Sequence, residues 1–356
     1  MPYIFPKWAL LTGAGFTANW NAPTANDIWC QLLSNLSVKN HQDLVDALKS
    51  KDGLLFENVV ASGQLGMFSR EACGDLNVAL RDIYNDIEDI LYDVLEPVSF
   101  VDFDALVAQF APRAPEQVGL VFTLNQDMLF ERFRFVGHAE DAMKRPWVQK
   151  PIYEEGEVFG NNHFRRNSSK INEPVILESL ESEPSGGFQN LDPGFYYVKL
   201  HGSWDWRRPG GHDAMVLGGG KLSTIQKSPL MKEYWCLFNS FLNSGNRRLM
   251  VIGYGFNDEH INRVLIDAVN NHGLKIHLWD IETHFSMRER LISGGLDAIW
   301  MGIEGYTVGA LTKHLRPLGP TPWHTVSMEA EHELFRIFGD DTNLVWRNMP
   351  QYAFQK

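Results

Sequence analysis

The chain reads as an α/β protein: a Rossmann-like parallel sheet with helices on both faces, plus a smaller helical and insertion region. Three observations predict this. Short apolar runs rich in β-branched and aromatic residues recur along the sequence, helical periodicity separates them, and each run stops at a glycine turn or a polar cluster. With 356 residues, 44% of them hydrophobic, the chain can bury a substantial core.

The first run, Trp8 to Thr12, leads directly into Gly13-Ala14-Gly15-Phe16-Thr17 and then a helix carrying Ile28, Trp29, Leu32 and Leu33. A strand, a glycine turn and a helix start form the anion site of dinucleotide folds, because backbone N–H groups can approach a pyrophosphate there. The match to GxGxxG is incomplete, since Ala18 stands where the third glycine would be. Residues 40 to 96 read as helical throughout, with Leu44, Leu48, Val59, Leu76, Leu80, Ile83, Ile87 and Leu91 spaced for a buried face. Asp82, Asp86, Glu88 and Asp89 then form a solvated face.

A Pro-rich breaker at 111–115 precedes Val118 to Thr123, which reads as a buried strand ending at Asn125, Gln126 and Asp127, with a helix from Met128. Between about 140 and 195 the sequence turns rich in turn formers and poor in periodicity, as an inserted loop would be. Tyr196 to Leu200 is again a strand, ending at His201-Gly202-Ser203. Arg248 to Ile252 runs into Gly253-Tyr254-Gly255-Phe256-Asn257-Asp258 and a helix from Glu259, and Lys275 to Trp279 ends at Asp280 and Glu282. The tail beyond Pro320 is aromatic enough to pack on its own domain or on a partner. These elements divide into a domain over 1–285, with a helical segment at 40–111 and the insertion at 140–195, and an extension over 286–356.

The formal charge of −12, spread without long single-sign runs, argues against a general nucleic-acid surface. Cys30, Cys73 and Cys236 show no CxxC spacing, so no metal site and no structural zinc is expected. No apolar run reaches membrane-span length and the N-terminus lacks signal-peptide features, which predicts a cytoplasmic protein without membrane contact.

Taken singly, the polar strand ends have ordinary readings. Asn125 and Asp127 suit the cap of the helix that follows, Asn257 and Asp258 are helix caps first, and Ser203 is a turn or phosphate-contacting hydroxyl. His138, His163, His212, His260 and His277 read as surface or satisfied residues. Taken together, two glycine turns, an Asn–Asp pair and a histidine converge at the carboxyl ends of strands, where ligands bind in open α/β sheets.

At this point the chain resembles the sirtuin-like NAD-binding domains, in particular the bacterial branch found in anti-phage defence. Gly13-Ala14-Gly15-Phe16-Thr17 with Pro23 resembles the family's first nucleotide loop, Thr123-Leu124-Asn125-Gln126-Asp127 its Asn-x-Asp motif, Leu200-His201-Gly202-Ser203 its catalytic histidine, and Ile252-Gly253-Tyr254-Gly255 its later ribose and phosphate loop. The resemblance implies catalytic roles for Asn125 and His201. It implies NAD contacts by Gly13, Ala14, Gly15, Phe16, Thr17, Asp127, Gly253, Tyr254, Gly255 and Asn257. Two departures set the chain apart from deacylases: it lacks the paired CxxC motifs, and Thr24-Ala25-Asn26 replaces Asp-Phe-Arg after the loop proline.

The implied activity is therefore NAD hydrolysis, with NAD as substrate. A protein deacylase and a non-catalytic NAD- or ADP-ribose-binding module are the alternatives. An amide such as Asn125 can both donate to and accept from ribose hydroxyls or water, Asp127 can orient it or receive the nicotinamide carboxamide, and a histidine of ordinary pKa near 6.5 can act as base at neutral pH. By the same resemblance the enzyme is silent until triggered, under the control of self-assembly into a homo-oligomer or of a ring-forming DNA-translocating ATPase of the same operon.

Overall fold

The structure is a computed structural model, and it describes residues 5–50, 56–95, 101–132, 143, 145–148, 175–177, 192–207, 215–218, 220–315 and 326–342. Its centre is a six-stranded sheet with every neighbouring pair parallel. The strands are β1 (Trp8–Thr12), β2 (Val118–Thr123), β4 (Gly194–Lys199), β6 (Arg248–Ile252), β7 (Lys275–Asp280) and β8 (Ile303–Val308), arranged in the order β4-β2-β1-β6-β7-β8. A separate parallel pair joins β3 (Val175–Ile176) to β5 (Trp206–Arg207). Counting only the six main strands, this is the 3-2-1-4-5-6 order of dinucleotide-binding sheets, in which the chain reverses direction across the first strand.

Both faces of the sheet are covered, so β1 and β2 are buried at every position, as a central parallel strand requires. Successive residues of β1 serve opposite layers. Leu10 joins the core made with the helices between residues 25 and 108, whereas Leu11 joins the core made with Pro229–Asn243 and Glu259–His272. Among the described residues no helix is long and apolar enough to cross a membrane.

Among the described residues, the region 40–96 forms the helices Gln42–Lys49, Phe56–Gln64 and Arg70–Leu95. Their apolar faces are buried as the spacing predicts. Glu88 departs from expectation. Asp82, Asp86 and Asp89 are exposed, but Glu88 is buried and accepts the Met128 backbone N–H at 3.0 Å. It satisfies a donor at the start of the segment following Asp127, so this acid supports the loop at the end of β2.

The sheet also runs past residue 285. β8 lies within the segment read as an extension, and His284–Ser293 and Asp297–Gly302 form the crossover that reaches it. Part of the aromatic tail packs on its own domain: Phe338 sits 4.8 Å from the Trp8 ring and 5.7 Å from Phe110. Ser327, the cap residue of the helix Met328–Phe338, donates from its N–H and its hydroxyl to Asp102, each at 2.6 Å. Trp323, Trp346, Tyr352 and Phe354 lie outside the described residues, as does most of the 140–195 segment. The described parts of that segment dock on the core: Val148 and Leu177 are buried, and the Tyr234 hydroxyl donates to the Pro146 carbonyl at 2.8 Å.

Candidate functional site

The two glycine loops meet backbone to backbone at the carboxyl edge of the sheet. Gly13 N–H donates to the Ile252 carbonyl at 3.0 Å and Gly15 N–H to the Gly253 carbonyl at 2.9 Å. A Cβ on Gly13 would lie 2.7 Å from the Gly253 oxygen, and one on Gly253, which has φ +65°, would lie 2.2 Å from the Phe16 nitrogen. Glycine is demanded here by the neighbouring loop, in addition to any approach by a nucleotide. Phe16 anchors the first loop by stacking on Phe130 at 5.3 Å and packing on Trp20 at 5.2 Å. Tyr254 is likewise buried, and its hydroxyl donates to Asn262 at 2.9 Å. Phe16 and Tyr254 thus brace the loops with their side chains. Ala14, Gly255 and Asn257 are exposed, and Gly15 and Gly253 are half-buried.

Asn125 ties the end of β2 to the first loop. Its side-chain nitrogen donates to the Gly13 carbonyl and to Thr17 Oγ1, both at 3.0 Å. Thr17 Oγ1 in turn lies 3.1 Å from Asp127 Oδ2, so Asn125, Thr17 and Asp127 form one polarised chain. Asn125 therefore does not cap the following helix. Asp127 does so, accepting the Leu129 N–H at 3.0 Å. With both Asn125 amide hydrogens committed, Oδ1 is the atom it can offer to a ribose hydroxyl or a water. Burial raises the Asp127 pKa, while Lys199, the Leu129 N–H and the Thr17 hydroxyl pull it back.

Beneath this chain lies a buried ionic pillar. Lys199, the last residue of β4 and fully buried, donates to the Asp127 carbonyl and reaches Glu131 at 2.9 Å. Arg145 lies 3.7 Å from Glu131 and 3.2 Å from Asp205. The pillar joins the loop after β2, the loop after β4 and the described part of the inserted segment. A lysine closing the apolar run Phe195 to Val198 was the sequence signal for it.

His201 follows from register. Thr123 pairs with Lys199 across β2 and β4, so Asn125 and His201, each two residues further along, emerge level at the sheet edge. His201 is 1% exposed, and its Nε2 lies 3.0 Å from Nε2 of His260. His260 belongs to the first turn of Glu259–His272, which follows the second glycine loop. The contact thus bridges the two sides of the site across the ends of β2 and β1. Burial, followed by the nearby Lys221 charge, pulls the His201 pKa down to about 3. That corrects the expectation of ordinary imidazole basicity: His201 is neutral at physiological pH and a weaker base than a free histidine.

Asp258 stands beside the pair. It holds the cap position of the helix, but its carboxylate turns to Lys221 at 2.6 Å instead of to its own helix. Lys221 also reaches Glu57 at 2.6 Å, and the lysine is mostly buried between the two acids. Among the described residues, His201, Asp258 and His260 bring three donor atoms within 4.8 Å of one another. Two of these donors lie 3.0 Å from each other and the third is paired with the Lys221 ammonium. Of the cysteines, Cys30 is exposed and Cys73 and Cys236 are half-buried, all as free thiols.

The site thus brings together Gly13 to Thr17, Asn125, Asp127, His201 and Gly253 to Asn257, and adds His260, Lys221, Glu57 and Lys199, which the sequence reading had not singled out. A His two residues after an Asp, in the first turn of a helix that leaves a glycine loop, was the available signal for His260. Residues 159–291 match the family model of the SIR2-like domain. That span contains His201, Lys221, the second glycine loop and His260, and it supports a sirtuin-like, NAD-related domain. No curated protein matched the chain.

Proposed function

We propose that the protein cleaves the bond between nicotinamide and ribose in NAD and passes the sugar to water, giving nicotinamide and ADP-ribose. The observation that carries this reading is the Asn125 side chain, locked by Gly13 and Thr17 with Oδ1 left to offer, level with His201 at the edge of a dinucleotide-type sheet. The SIR2-like match supports the choice of NAD as substrate. Bond cleavage builds positive charge on the sugar and releases a neutral pyridine, so the protein must hold the ribose, position a water and accept one proton. In this reading Asn125 orients the ribose or the water, the two glycine loops carry the diphosphate, and His201 takes the proton.

The wider role in the same reading is NAD depletion in a bacterial anti-phage, abortive-infection response. Control comes from self-assembly or a partner ATPase acting through the 140–195 segment or the C-terminal tail. The test is to incubate the protein with NAD, alone and with its genomic neighbour's product, and to follow nicotinamide. Release is expected, and Asn125→Ala and His201→Ala should each abolish it. Release that occurs only with an acylated peptide would instead favour a deacylase, and binding without release a non-catalytic module.

A further inference from the structure

The inner end of the site gathers more donor atoms than the proposed chemistry uses. Nε2 of His201 and Nε2 of His260 lie 3.0 Å apart, and the Asp258 carboxylate completes a trio whose donor atoms are within 4.8 Å of one another. Two parts of the fold deliver them. His201 follows the end of β4, while Asp258 and His260 stand where the second glycine loop enters the helix Glu259–His272. That helix start is pinned: the Asp258 backbone N–H donates to the Tyr254 hydroxyl at 3.2 Å, and the His260 ring packs on Trp235 with centroids 5.5 Å apart.

We infer that His201, Asp258 and His260 bind a divalent transition-metal ion of the zinc type, and that the bound ion switches the enzyme off by occupying the histidine that takes the proton. The second half of this inference rests on the hydrolase reading, and the first half does not. Zinc–nitrogen bonds of 2.0–2.1 Å at tetrahedral angles put two ligand nitrogens about 3.3 Å apart. The two imidazoles therefore need only a small parting to admit an ion, and the carboxylate a short swing inward. Two neutral rings this close share one hydrogen between their Nε2 atoms. Moving it to Nδ1 of the same ring turns both lone pairs toward the ion without a net loss of protons.

The donor set and the charge both suit such an ion. Two imidazoles and a carboxylate match zinc, cobalt and nickel, whereas magnesium and calcium take oxygen ligands. Lys221 lies 2.6 Å from both Glu57 and Asp258, so two carboxylates and one ammonium leave a net negative charge beside the rings. Lys221 is also the competitor, since its ammonium holds the carboxylate that the ion would need. An ion on His201 Nε2 ties up the lone pair that would accept the proton of the attacking water, and the base is out of service while the ion stays bound.

The test uses chelator-treated full-length protein, with cobalt(II) as a coloured probe, zinc as competitor and the nicotinamide assay alongside. Wild type should bind one cobalt ion with the strong visible absorption of a four-coordinate site; zinc should displace it, and magnesium and calcium should not. His260→Gln and Asp258→Asn, with folding checked by circular dichroism, should each weaken binding by at least about 10-fold, and their remaining nicotinamide release should lose its sensitivity to zinc. Lys221→Met removes the competing cation and should bind cobalt at least about 10-fold more tightly, a gain that a disrupted fold could not produce. Any one of four results overturns the inference: no cobalt binding by wild type, wild-type binding in both the His260 and Asp258 variants, no tightening in Lys221→Met, or wild-type release that saturating zinc leaves unchanged. Absence of release from the metal-free wild type would remove the hydrolase reading instead, and the cobalt spectra would still decide the site.

Discussion

Lys199→Met would test whether the ionic pillar under the Asn125 chain holds the site up. The ammonium is fully buried, donates to the Asp127 carbonyl and pairs with Glu131 at 2.9 Å. Methionine matches its bulk but leaves Glu131 with Arg145, at 3.7 Å, as its remaining cation among the described residues, and Arg145 is shared with Asp205 at 3.2 Å. Removing one partner of a buried pair costs about 3–5 kcal/mol. At roughly 2–4 °C per kcal/mol for a domain of this class, the melting temperature should fall on the order of 10 °C. Urea and thermal unfolding of the wild type, Lys199→Met and the double variant Lys199→Met with Glu131→Met would measure this. The double variant should recover most of the loss, because a whole pair replaced by apolar groups is often neutral or stabilising. A single variant within about 1 kcal/mol of wild type, or a double variant no better than the single, would refute the reasoning.

Gly253→Ala should destabilise by at least about 2 kcal/mol and weaken nucleotide binding, because φ +65° and a 2.2 Å approach to the Phe16 nitrogen both exclude a Cβ; an unchanged urea midpoint would mean the loops are not in contact in solution. Acid should also destabilise the protein through its buried histidines. Burial pulls His201, His260 and His277 down to about 3, 4 and 4, whereas an unfolded histidine binds its proton below about pH 6.5. The unfolded chain thus holds more protons in this window, and stability that is complete above about pH 6.5 is lost as pH falls toward the folded values. Each histidine adds about 1.4 kcal/mol per pH unit to the slope. His277→Gln should flatten the pH dependence of the unfolding free energy from urea titrations by about one such increment relative to wild type, and parallel curves would contradict the assignment.

Much of the fold was legible because central parallel strands are apolar throughout and stop abruptly. β8 escaped because Ile303-Glu-Gly-Tyr-Thr-Val is an edge strand of mixed burial, with Gly305 pressed against the His277 ring. At the site, Asn125 and His201 were readable as polar groups delivered by strand ends, and their shared level follows from ordinary parallel register. What could not be read was traffic between segments distant in sequence. Glu88 fits the polar side of an amphipathic helix until the Met128 N–H is seen to need an acceptor. His260 looks like any polar residue at a helix start until β4 delivers His201 against it. The glycines were read as room for a phosphate, and the room is partly taken by the opposite loop.

That interlocked pair of glycine loops bears on how the protein can be regulated. Since each loop fills the space a side chain would need in the other, neither can swing without dragging its neighbour and the Asn125 tie with it. Moving parts must then be sought in the walls, and a regulator would act as a door rather than as a builder. Mutations that jam or unlatch such a door should alter how fast nucleotide enters and leaves while leaving the floor's shape, and the equilibrium stability it reports, largely untouched.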